Sequence, residues 1–448
     1  MTDNTPIEVD LLIEAGWVIP VEPEGAALPD HAVAVSAGRI VALAPTAQAR
    51  AAFAPRETIA LPRHVLIPGL VNLHTHAAMS LMRGLADDLP LMTWLHDHIW
   101  PAEAKHVSPE FVYDGTLLAA AEMLRGGVTC ANDMYFYPEA AGRAFLDAGM
   151  RAALGLIAVE FPTQYAGDAE GYLAKGLATR DALRHEARLS FCMAPHAPYT
   201  VSDRTFVRLA TLAEELDLPI HVHLHETADE IARSSAEHGA RPLERLRGLG
   251  LLSPRLIAVH AVHLTDGEVD LLAAHGCSVA HCPSSNLKLA SGFARVAALL
   301  QQGVNVGLGT DGAASNNRLD LFTEMRTAAL LAKSVAGRAD ALPAAAALRA
   351  ATLGGARALG LDRAIGSLVP GKAADLCAVS LDRLELQPCF DPTSHLVYAC
   401  GRDDVTHVWV DGELVVFERH LQKLDVPRLE NRIFLWHNAL IEQGSPVF

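Results

Sequence analysis

Seven cysteines are scattered over the 448 residues, at positions 130, 192, 277, 282, 377, 389 and 400, an odd number with no Cys-x-x-Cys spacing. That excludes a disulfide framework and fits reduced, mostly buried thiols in a cytoplasmic protein. Basic charge is in deficit: 36 Lys and Arg face 52 Asp and Glu, a formal net charge of −16. Such a surface repels phosphate backbones and anionic membranes, so neither a nucleic-acid polymer nor a membrane is an expected partner. No uninterrupted apolar stretch approaches membrane-spanning length, and Met1-Thr-Asp-Asn-Thr-Pro-Ile-Glu-Val-Asp10 lacks the basic and apolar regions of a signal peptide. No Gly-x-Gly-x-x-Gly follows an early strand, which removes the sign of dinucleotide binding. His-x-Glu paired with Pro-Cys-x-x-Cys is missing too, and with it the thiolate zinc site of the small cytidine-deaminase fold.

Half of the residues are hydrophobic, enough for a large core and one big domain with a smaller companion. Residues 8–65 hold short β-like runs punctuated by Gly and Pro, with Ala37-Gly38-Arg39 as the expected hairpin turn. From residue 66 the rhythm becomes strand then helix. Apolar strand candidates fall at 66–75, 128–135, 151–159, 188–195, 219–225, 256–262, 278–282 and 304–310. Amphipathic patterns such as Asp114 to Arg125 and Arg204 to Leu216 follow most of them. Eight such units predict a (β/α)8 barrel, because parallel strands need helical crossovers. After about residue 367 short strands return, with Asp411-Gly412 a strong hairpin signal. The expected fold is therefore a (β/α)8 TIM-like barrel at 66–367 beside a small β-sandwich domain formed by 1–65 and 368–448. The segment from about Arg428 has helical composition and could pack across another subunit, which leaves homo-oligomerisation open.

In a barrel, catalytic groups gather at the C-terminal ends of the strands. Here the first strand ends in His74 and His76, the fourth in His196, the fifth in His221, His223, His225 and then Glu226, the sixth in His260 and His263, the seventh in His281 and the eighth in Asp311. An isolated His-x-His is more often a pair of polar strand-end residues than a ligand pair. The same residue types at the other strand ends reverse that weighting. Alternation puts His74 and His76 on one side, and likewise His221, His223 and His225. Two imidazoles from the first strand, one from the fifth and a carboxylate from the eighth suit one divalent ion, zinc first with iron as the alternative, rather than magnesium or calcium. A bridging carboxylate or modified lysine for a second metal is not expected, since the fourth strand carries no lysine. A single such ion predicts a hydrolytic site.

His74-Thr-His76, His223-Leu-His-Glu226, His260 and Gly309-Thr-Asp311-Gly, with Gly366 to Leu376 near the end, resemble the amidohydrolase superfamily in its cytosine-deaminase-like branch. Met79 to Leu89, Trp94-Leu, Pro101-Ala-Glu103, Ala194 to Tyr199, Ser284-Ser-Asn-Leu-Lys-Leu and Asp311 to Asn317 are most similar to the 5′-methylthioadenosine/S-adenosylhomocysteine deaminases. The resemblance spans nearly the whole chain. It implies His74, His76, His223 and Asp311 as metal ligands. Deaminating adenine needs a hydroxide for C6, a proton for N1 and a proton for the departing ammonia. Glu226 is placed to protonate N1 and to contact substrate, His260 to orient the attacking hydroxide, and Asp311 to relay its proton.

For the substrate, the resemblance implies that Glu103 accepts from the ribose hydroxyls, Trp94 lines the pocket beside the 5′ substituent, and His196 contacts the nucleoside. The segment from Leu81 to Glu103 is expected to form the nucleoside-recognising wall. Arginines on and after the third strand can hold the carboxylate of S-adenosylhomocysteine in such proteins, whereas here Arg151 only opens that strand and Glu160 to Glu170 contains none. A desolvated carboxylate without such a partner binds poorly. The expected substrate is 5′-methylthioadenosine, then adenosine, with S-adenosylhomocysteine last. Guanine or 8-oxoguanine deamination and triazine hydrolysis use similar frameworks, and an inert metal- or nucleoside-binding protein is the alternative of another class.

Overall fold

The structure, a computed structural model, describes residues 6–441. Eight parallel strands form the central barrel: Leu70–Thr75, Val128–Asp133, Arg151–Ala158, Leu189–Pro195, Ile220–Leu224, Leu256–His260, Ser278–His281 and Asn305–Leu308. Each is hydrogen-bonded to the next in chain order. Helices cover the outside and side chains fill the inside, so a strand such as Arg151–Ala158 is buried at every position. That two-sided burial explains why these segments read as continuous apolar runs rather than alternating ones.

The barrel closes through side chains as well as backbone. Asn72 in the first strand donates to Thr310 Oγ1 at 2.8 Å and accepts from Thr310 N–H at 2.9 Å. The N–H of Asp311 donates to the carbonyl of His74 at 2.9 Å. These bonds fix the end of the eighth strand against the end of the first.

The two ends of the chain build a second sheet. Ile7–Val18, Leu28–Ser36, Arg39–Pro45 and Phe53–Pro68 join Leu376–Ser380, Val405–Val410, Glu413–Phe417 and His420–Leu421 in one mixed eight-stranded array. Phe53–Pro68 is the seam, parallel to Ile7–Val18 and antiparallel to Leu376–Ser380. Both expected hairpin turns form. Gly38 and Gly412 have φ of +74° and +76°, and a Cβ on Gly38 would lie 2.5 Å from the carbonyl oxygen of Asp411, so the two turn tips meet where only glycine fits.

The segment 66–75, expected as one strand, is two. Leu66, Ile67 and Pro68 finish the long strand of the second sheet, and the barrel begins at Leu70. Gly69 makes the transfer, because a Cβ there would stand 2.2 Å from Thr129 Oγ1. The C-terminal helix Val426–Ile441 lies along helix Pro109–Arg125 of its own chain. Trp436 Nε1 donates to Asp114 Oδ2 at 2.8 Å, and Arg432 pairs with Asp114 Oδ1 at 2.6 Å. Among the described residues no helix is long and apolar enough to cross a membrane.

Candidate active site

The C-terminal ends of the barrel strands converge on one cavity of about 1040 Å³. His74 lies within the first strand and is fully buried, while His76 follows just beyond it and faces the cavity. Each imidazole is aimed by a bond at its Nδ1. His74 Nδ1 meets His221 Nε2 at 3.0 Å, His76 Nδ1 donates to the Met134 carbonyl at 2.6 Å, and His223 Nδ1 donates to the His196 carbonyl at 2.7 Å. With Nδ1 engaged, Nε2 of each ring is the nitrogen left to face another partner.

Asp311 follows the eighth strand and faces the His74 and His76 rings. Its backbone is left-handed at φ +61°, and its carboxylate accepts from Gly312 N–H at 2.7 Å and from Ser285 Oγ at 2.6 Å. Asp311 Oδ1 lies 3.3 Å from Nε2 of both His74 and His76. Burial alone would raise this carboxyl, but the two imidazoles hold it well below the usual carboxylate range. Burial keeps His223 neutral and pulls His74 down to about 4.

These groups fit a divalent cation. His74 Nε2 is buried with no hydrogen-bond partner among the described residues, which a ligand bond would relieve. Ligand atoms of His74, His76 and Asp311 lie within 4.8 Å of one another, and so do those of His74, His223 and His260. Imidazole nitrogens with one carboxylate suit zinc or iron over magnesium.

Beside the cluster, His260 Nδ1 donates to Asn286 Oδ1 at 2.8 Å, and its Nε2 faces Glu226 Oε1 at 3.8 Å. Burial raises the Glu226 carboxyl above its ordinary value, and the N–H of Glu226 donates to Glu230 Oε2 at 2.7 Å. A carboxyl so placed can carry a proton near neutral pH. His196 lies with its ring 4.9 Å from that of His223, its Nδ1 bonded to Thr200 Oγ1 at 2.9 Å.

The far wall comes from the chain after the first strand, through short helices Leu91–Trp94 and Trp100–His106. Trp94 and Glu103 both line the cavity, and Tyr135 donates its hydroxyl to Glu103 Oε1 at 2.7 Å. Burial pushes Glu103 up to about 7 despite that bond.

Not every strand-end histidine joins. His225, expected to share a face with His221 and His223, lies past the strand at φ +57°. That left-handed turn breaks the alternation, and the ring bonds instead to Leu243 N–H at 2.9 Å and the His263 carbonyl at 3.1 Å. His263 Nε2 donates to the Ser291 carbonyl at 2.7 Å, a packing role. Arg151 sits at the opposite end of the barrel, held by Asp375 and Asp411. Sequence reasoning did not single out Tyr135, whose one signal is its place two residues past the second strand, nor did it weigh Arg233 and Arg245 on the cavity wall. Arg245 is committed to Asp203 and two carbonyls, and Arg233 bonds Glu237 at 2.9 Å.

The chain is similar to known proteins. The model for the amidohydrolase family matches residues 65–415. A 5-methylthioadenosine/S-adenosylhomocysteine deaminase of Saccharophagus degradans is 49% identical over 99% of each chain. A 5′-deoxyadenosine deaminase of Methanothermobacter thermautotrophicus is 46% identical over 81% of this chain and 84% of its own. The crystal structure of an adenosine deaminase from Xanthomonas campestris with bound zinc superposes with a TM-score of 0.96 at 53% identity, covering 98% of this chain and 100% of that one.

Proposed function

The chain belongs to the amidohydrolase family, and on that premise we propose that it hydrolyses the 6-amino group of an adenosine-type nucleoside, releasing ammonia and leaving the inosine-type product. The observation that carries this reading is that Glu226, His260 and Asp311 line the same cavity as Glu103 and Trp94, so proton-transfer groups and a diol acceptor face one ligand. His74, His76, His223 and Asp311 would hold one divalent ion, zinc first and iron as the alternative. When bound, that ion supplies hydroxide at neutral pH by acidifying water.

The residues do the rest. Glu226, its proton retained by burial, delivers it to ring N1 as C6 is attacked. His260, fixed by Asn286, orients the attacking water toward C6. Asp311, anchored by Ser285, takes the water's proton and returns it to the departing amino group. His196 contacts the nucleoside from beside His223.

The favoured substrate is 5′-methylthioadenosine. Leu91, Trp94, Leu95, Ile99 and Phe161 supply an apolar wall for an uncharged 5′ group. Adenosine ranks second. S-adenosylhomocysteine ranks last, because Arg151 is remote and the buried Arg245 of the cavity wall is committed to Asp203 and two carbonyls. Seven unpaired cysteines, six of them buried, support a reducing compartment such as the cytoplasm. The test is ammonia release from the three nucleosides by protein of measured zinc content, with and without a chelator. Zinc-dependent release, fastest with 5′-methylthioadenosine, is expected. No release from any nucleoside by the zinc-loaded protein overturns the reading.

A further inference from the structure

Glu103 is carried on Trp100–His106, a seven-residue helix in which no residue is fully buried, so core packing alone does not set its carboxylate. Tyr135 is different: it is 4% exposed, lies two residues past the end of the second barrel strand, and packs its ring against Phe136 at 5.3 Å between centroids. Its hydroxyl reaches across to Glu103 Oε1 at 2.7 Å, and both side chains line the cavity.

We infer that Tyr135 determines ribose specificity as a positioning residue, tying Glu103 to the rigid barrel so that the carboxylate presents Oε2 to the 2′,3′-diol of the substrate. The inference rests on the nucleoside reading given above. A carboxylate in an apolar wall has two problems, loss of charge and rotation about its last torsion. One donor from a fixed aromatic ring answers both, since a hydrogen bond to the charged form favours that form and consumes one oxygen. The remaining oxygen keeps a defined direction, which a vicinal diol needs in order to donate to it. Phe136 and Met134, the neighbours of Tyr135, are also buried, so the ring stays in place when the hydroxyl is removed. The bond acts between groups 32 positions apart on separate elements, so it serves the wall rather than local folding.

The experiment compares an adenosine-type substrate with its 2′,3′-dideoxy counterpart on zinc-loaded wild type, Tyr135→Phe, Glu103→Gln and the double variant. With Tyr135→Phe, kcat/KM for the diol substrate should fall about tenfold, mostly through KM, the size expected for one bond to a charged group. The dideoxy substrate should be unaffected, and the second substitution should add nothing in the Glu103→Gln background. Equal losses on both substrates would mean a general packing role and overturn the inference, as would no loss on either. If Glu103→Gln itself leaves the diol-to-dideoxy ratio unchanged, the diol role of Glu103 is wrong and the inference falls with it; ammonia release still tests the deaminase reading separately. Incorporating 3-fluorotyrosine at position 135 retains ring and donor. It should keep the wild-type ratio, and a ratio like that of Tyr135→Phe would count against the hydroxyl.

Discussion

Nδ1 of His74 lies 3.0 Å from Nε2 of His221, and both rings are fully buried, so one histidine sets the tautomer of the other. His221 and His223 sit on the same side of the fifth strand, but of the two it is His223 that joins the residues with converging ligand atoms. His221 therefore supports the His74 ring from behind.

Replacing His221 by Ala should weaken zinc affinity by about 10- to 100-fold, the usual cost of losing a group that orients a ligand. Competition against a chromophoric chelator measures it. Affinity equal to wild type would show that the barrel alone orients His74.

Glu226→Gln keeps the size and the cavity lining but cannot hand a proton to N1. Turnover should fall by at least about 100-fold, while zinc content stays at the wild-type level. Metal analysis beside an ammonia assay checks both halves, and a Gln variant with near-normal turnover would remove Glu226 from the mechanism.

Activity toward diol substrates should show an acid limb near neutrality. Burial pushes Glu103 up to about 7, so below that pH the free protein carries it neutral, with one oxygen lost as an acceptor. The sign follows: kcat/KM rises with pH through about 7 and levels off above it, since this ratio reports groups of the free enzyme. The 2′,3′-dideoxy substrate should lack that limb. Identical profiles for the two substrates would assign the limb to another group.

Arg151 tests stability apart from chemistry. Its guanidinium bonds Asp375 at 3.1 and 3.2 Å and Asp411 at 2.6 Å, at the end of the barrel far from the cavity. Arg151→Met strands a buried carboxylate, a change that costs about 3–5 kcal/mol. Denaturant unfolding should show a loss of that order with kcat changed less than about twofold. A large drop in kcat in the folded variant would contradict the separation of the two ends.

Much of the fold was legible because β/α repetition leaves a strong trace. The eight barrel strands fall inside the apolar runs marked from sequence, and the Asp411-Gly412 turn forms where the dipeptide predicts. The join at Gly69 was not legible, because an apolar run does not reveal which of two sheets takes its backbone hydrogen bonds. Gly69 N–H bonds to Asp375 across the chain, and Leu70 N–H to Gly127.

The sequence by itself determined which chemistry is available: nitrogen donors and carboxylates at strand ends, set by the two-residue period of a strand and the geometry of a barrel. Only the tertiary structure decided which of them meet. Beyond a strand's end the period lapses and backbone dihedrals aim each side chain, so left-handed turns send His225 away from the cavity and set Asp311 against His74 and His76. Contacts between distant elements decided the rest, since Tyr135 on Glu103, Asn286 on His260 and His221 on His74 are bonds that no local pattern encodes.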